Sequence, residues 1–114
     1  MYIRRSSEFF GDVKSGQCKF KYCRNLTSPR GIDVDSKGYI YLCDQNTNCI
    51  HQVTDEGEPV AVFGKLDGIP AEPMAICFKQ NGHELFVTSW ARNEVSRFQL
   101  IYDPIIPVEI LRMD

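Results

Sequence analysis

Long apolar runs are missing from this chain: nothing in its 114 residues approaches the roughly 18 consecutive apolar positions that carry a helix across a bilayer. The opening Met-Tyr-Ile-Arg-Arg-Ser-Ser has no apolar core of the kind a secretory leader needs. A soluble, cytoplasmic protein without membrane contact is the expectation. Histidine is scarce, with only His51 and His83, neither at a recognisable ligand spacing. Zinc would need two ligands beyond Cys18 and Cys23, so no metal is expected. The five cysteines, Cys18, Cys23, Cys43, Cys49 and Cys77, are odd in number and lack a close-spaced paired motif, which argues against a disulfide framework. Cys43 and Cys49 flank one hairpin loop, but a bridge there needs an oxidising compartment and the right register, so small buried thiols are expected instead. Also absent are a nucleophile elbow, a phosphate-cradling glycine loop and a paired carboxylate motif. Neither catalysis nor a cofactor is expected within this chain.

What is present is an ordinary globular composition, 43% hydrophobic and 25% charged, for which a single domain over 1–114 is the default. The net charge of -2 is unevenly spread. Residues 1–37 hold eight Lys/Arg against four Asp/Glu, whereas residues 38–114 hold five against eleven. That asymmetry permits an anionic partner, but a solvated surface whose charge varies by blade is the preferred account of it.

The strongest signal is a pattern stated twice, 44 residues apart. The first copy reads Pro29-Arg-Gly-Ile-Asp-Val-Asp-Ser-Lys-Gly38, then Tyr39-Ile-Tyr-Leu-Cys-Asp44, then Ile50-His-Gln-Val53. The second reads Pro73-Met-Ala-Ile-Cys-Phe-Lys-Gln-Asn-Gly82, then Glu84-Leu-Phe-Val-Thr-Ser89, then Val95-Ser-Arg-Phe98. Apolar alternation over 31–35 and a β-branched and aromatic run over 39–43 predict two strands joined by a tight turn at Gly38. Asn81-Gly82 is the matching and stronger hairpin signal. A third strand is expected over 49–54 and a fourth over 59–64, with Pro59 at its first position, where a missing N–H costs least.

Four antiparallel strands followed by a linker and a restart describe a propeller blade. The predicted fold is all-β, a partial β-propeller with one blade over 29–64, a second over 73–113 and, at 8–11, the last strand of a preceding blade. Closed rings take four to eight blades of roughly 40–50 residues, so this chain cannot close one alone. It is expected to be part of a longer protein or to complete its ring with further blades or by self-association, because open blade edges are an aggregation liability.

At these residues the chain resembles the NHL repeat family. Pro29, Gly31, Ile32, Val34, Asp35, Gly38, Ile40, Tyr41, Asp44 and Ile50 match the family pattern in the first unit. In the second unit Ala75, Lys79 and Ser89 replace the Gly and two Asp, and His83 is inserted. Cys49 and Glu94 stand where the family usually has a basic residue. The resemblance implies a six-bladed propeller serving as an interaction platform, as at the C-terminus of tripartite-motif ubiquitin ligases, whose transfer chemistry would lie in another domain. A minority of such propellers are metal-dependent lyases, and fold alone does not choose.

Strand parity puts the linkers between blades and the loops joining second and third strands on one face. That face is expected to gather Lys19, Lys21, Arg24 and Arg30 from the basic linker 14–30, Asn46 and Asn48 from one loop, and Trp90, Arg92 and Asn93 from the other. Lysines interleaved with Phe20 and Tyr22 would serve an RNA by charge neutralisation and stacking. The same alternation also describes a plain strand or linker with its apolar side down. Trp90 reads equally as a partner hot spot or as a plug between blades. A protein partner bound through these loops is the leading expectation. RNA binding through the linker and a fragment of a metal-dependent lyase are the alternatives.

Overall fold

The computed structural model describes residues 8–11, 18–22, 24–80, 82–101 and 109–113. Ten strands make three antiparallel sheets: β1 (Glu8–Gly11) with β2 (Cys18–Tyr22), then the meander β3 (Pro29–Val34), β4 (Ile40–Asp44), β5 (Cys49–Val53) and β6 (Pro59–Phe63), then the meander β7 (Pro73–Phe78), β8 (Glu84–Ser89), β9 (Glu94–Ile101) and β10 (Glu109–Met113). The all-β architecture of two four-stranded blades is as expected, and β10 supplies the second blade's last strand. The 14–30 segment differs from expectation. Residues 14–17 lie outside the described residues, and 18–22 form a strand, so two strands rather than one precede the first blade. The reason is the alternation itself: Phe20 and Tyr22 turn toward the first blade while Lys19 and Lys21 stay in solvent.

The repeat is accurate down to its irregularities. Both inner strands shift register between their first proline and the isoleucine three residues on, Pro29 to Ile32 and Pro73 to Ile76. Gly38 and Gly82 both close their hairpins in the left-handed region, at φ 88° and 72°, where L side chains are strained. Both loops that follow carry a left-handed asparagine, Asn48 and Asn93.

Alternation gives each blade two faces, and the blades stack front to back. The first blade's front, with Tyr41, Cys43 and Ile50, packs on the second blade's back, with Ile76, Leu85, Val87 and Phe98. The first blade's back, with Ile40, Leu42 and Val53, packs on Tyr22 and Phe20 of β2. Asp33 bridges the blades, accepting the Phe78 N–H at 2.6 Å. Among the described residues, no element covers the second blade's front. By strand register Ala75, Phe86, Thr88 and Val95 stand where Gly31, Tyr41, Cys43 and Ile50 stand in the first blade. Yet Val95 is 64% exposed while Ile50 is fully buried.

Two buried polar links stiffen the first blade. Asp35 accepts from the Tyr39 N–H and the Tyr41 hydroxyl, which in turn accepts from Gln52. The Tyr22 hydroxyl lies 2.8 Å from His51 Nδ1. Burial holds His51 below its ordinary pKa, against the opposing charge of Asp44. A depressed histidine stays neutral in the fold while the unfolded chain takes up a proton, so its contribution is complete above about pH 6.5 and declines as pH falls below that value. Urea midpoints measured from pH 7.5 to 5 are expected to fall, with a shallower fall in His51→Gln. Equal slopes would show that His51 is not buried neutral.

Candidate functional site

Antiparallel traversal brings the linkers 24–28 and 64–72 and the loops 45–48 and 90–93 to one face, and hydrogen bonds tie them there. Gln45 N donates to Ser28 O at 2.9 Å, and Trp90 N donates to Glu72 O at 3.0 Å, the equivalent bond one blade later. In the first blade the anchor is Asp44, which is fully buried. It accepts the N–H groups of Thr27 at 3.1 Å and Ser28 at 2.6 Å, together with the Thr47 hydroxyl. In the second blade Ser89 holds the same place with one oxygen, donating to Ala71 O at 2.6 Å and accepting from Arg92 N at 3.2 Å. The Asp-to-Ser replacement therefore keeps the loop-to-linker tie and removes a charge.

The expected site residues divide in three. Arg24, Asn46, Trp90, Arg92 and Asn93 are exposed on the loop face, with Trp90 68% accessible. Arg30 and Asn48 are on that face but also brace it: Arg30 Nε donates to Gln45 Oε1 at 2.9 Å, and Asn48 Oδ1 accepts the Glu72 N–H at 2.7 Å. Lys19 and Lys21 lie on the solvent side of β2 instead. Tyr22 corrects the expectation of an exposed stacking ring. It is only 3% exposed, edge-on to the His51 ring, because the back of the first blade needs an aromatic cover. Trp90 does not lie between the two described blades.

A cleft of about 430 Å³ opens on this face, lined by Asn48, Lys65, Gly68, Ile69, Pro70, Ala71, Arg92 and Glu94. Its linker wall was not among the sequence candidates. The linker makes a short 3-10 turn at Lys65–Asp67, with Asp67 accepting the Gly64 N–H at 2.9 Å, and ends in left-handed Gly68. That turn lifts Leu66 wholly into solvent while Ile69 is buried below. The parity that selected 24–30 applies equally to 64–72, and a lone leucine between two charges in a glycine-bounded linker was the available signal.

The thiols lie apart. Cys43 pairs across the ladder with Ile50, whereas Cys49 pairs with Asp44, so the two point to opposite faces of the sheet and both are free. Burial pushes the Cys43 thiol up to about 12. Cys23 lies outside the described residues. Among the described residues no group of three or more His, Cys, Asp or Glu side chains converges as a metal site.

No protein-family model and no curated protein sequence matches the chain. Nine chains of solved structures do. One is a streptogramin B lyase structure, with a TM-score of 0.64, 20% identity, and coverage of 96% of this chain and 35% of that one. The likeness is one of fold, and this chain spans about a third of the length of the protein it matches: it is a β-propeller segment.

Proposed function

We propose that this segment belongs to an NHL-type interaction propeller and binds a protein partner through the loop face without catalysing a reaction. The observation that carries this reading is the exposure of two large apolar side chains, Trp90 and Leu66, on the face of linkers and loops. Tryptophan is among the usual anchors of protein interfaces, and Leu66 adds apolar area to the same face. In the family this chain resembles, such a face recruits substrates to a tripartite-motif ubiquitin ligase, and that role is proposed here with it. The burial of Tyr22 removes one of the two rings an RNA-binding linker would stack on. A photo-crosslinking amino acid at position 90, in cells, is expected to give discrete protein adducts that Leu66→Ala weakens. RNA adducts alone, or none, would overturn the reading.

The uncovered front of the second blade is proposed to receive a further blade of the same type, as the first blade's front does within this chain. Cys77 is exposed on that face and Cys43 is buried, which makes a thiol reagent a direct reporter. Appending a second copy of 64–113 with its cysteine changed to serine should slow Cys77 labelling at least tenfold while Cys43 stays silent in both proteins. An unchanged Cys77 rate would mean that this face does not accept a blade.

A further inference from the structure

The hydrogen bonds of the loop face are distributed unequally between its acids and its bases. Asp44 is saturated by Thr27, Ser28 and Thr47. Asp67 holds the Gly64 N–H, and Glu72 accepts from Gln45 Nε2 at 3.3 Å. On the cleft walls the bases are unspent. Lys65 and Arg92 are exposed, and among the described residues neither side chain makes an ion pair or hydrogen bond. Asn48 commits its carbonyl oxygen to the linker, which leaves its amide nitrogen as a third donor. Between these donors run Ile69, Pro70 and Ala71, an apolar floor.

Resting on the loop-face reading, we infer that this cleft takes an acidic stretch of the protein partner, one Asp or Glu beside an apolar residue. The carboxylate lies against Lys65 and Arg92, and the neighbouring side chain lies over the Ile69–Ala71 floor toward Leu66. A guanidinium matches a carboxylate with two parallel N–H bonds, which gives Arg92 the larger share of the selectivity. The volume suits a short peptide stretch, since pockets for small ligands span about 300–1,000 Å³. With Lys65, Arg92 and Glu94 in its lining the cleft carries one net positive formal charge, which matches a single acid and not a run of phosphates.

Trp90 is the chain's one tryptophan and stands two residues from Arg92, so its emission reports on occupancy. The probes are the peptide acetyl-Gly-Leu-Glu-Leu-Gly-amide and its Gln counterpart, titrated to millimolar concentration into the 114-residue chain at low salt. The Glu peptide is expected to shift Trp90 emission saturably and to bind about tenfold more tightly than the Gln peptide. In Lys65→Gln/Arg92→Gln, two exposed positions, with the fold checked by circular dichroism, the two peptides should bind alike. Equal binding of both peptides to the unaltered chain, no binding of either, or displacement of the Glu peptide by equimolar polyuridylate would overturn the inference. Protein adducts at position 90 together with indifference to Glu or Gln would overturn the acid preference alone and leave the loop-face reading standing.

Discussion

Gly31→Val is expected to cost the fold about 3 kcal/mol, read as a lower urea midpoint. A Cβ at Gly31 would sit 2.8 Å from Ala75 Cα, 2.8 Å from Met74 O and 2.9 Å from Ile76 N. All three are backbone atoms of β7, the inner strand of the next blade, so no flexible side chain can move aside. Valine adds two methyl groups to that clash, and relief comes only by prising the blades apart where Tyr41, Cys43 and Ile50 meet Leu85 and Phe98. The matched control is Ala75→Val. It occupies the same repeat position on the uncovered front, and it should change stability by no more than about 0.5 kcal/mol, as exposed substitutions usually do. A Gly31→Val loss no larger than the Ala75→Val loss would mean that the two inner strands do not lie in contact.

Asp44→Ala is expected to be comparably severe, about 2–4 kcal/mol, because it strips the acceptor from two backbone N–H groups and two hydroxyls at once. Removing one partner of a buried hydrogen bond costs more than the bond contributes, since the orphaned donors stay desolvated. Thr27 is exposed, so water recovers part of its loss, and this sets the lower end of the range. Ser89→Ala, the same position one blade on, should cost about 1 kcal/mol, since one hydroxyl there carries two bonds to Ala71 and Arg92. Local effects should differ too. Amide exchange at 27 and 28 is expected to accelerate in Asp44→Ala, and exchange at 92 in Ser89→Ala. Equal losses in stability from the two substitutions would refute the asymmetry between the blades.

The blades themselves were legible because their signals are local. Alternation sorts each strand into two faces, and glycine at positive φ closes each first hairpin, whatever lies beyond the sheet. The common face of linkers and loops was legible as well, since antiparallel parity is a counting argument. The fate of Tyr22 was not. Lys19-Phe20-Lys21-Tyr22 fits an RNA-binding edge and a packed strand equally, and only the apolar back of the first blade chose between them. The cleft was out of reach for a similar reason, as its walls come from loops that adjoin only when two blades stack and Gly68 turns the linker.

By itself, then, the sequence determined the blade, its turns and the face on which the linkers gather, because each follows from backbone geometry within a few residues. Tertiary structure decided which side of each sheet is covered, and through that whether a given aromatic, thiol or cation faces a neighbour or solvent. Ile50 and Val95 occupy one repeat position with nearly the same side chain. One is fully buried and the other 64% exposed, because burial belongs to the neighbouring blade and not to the residue.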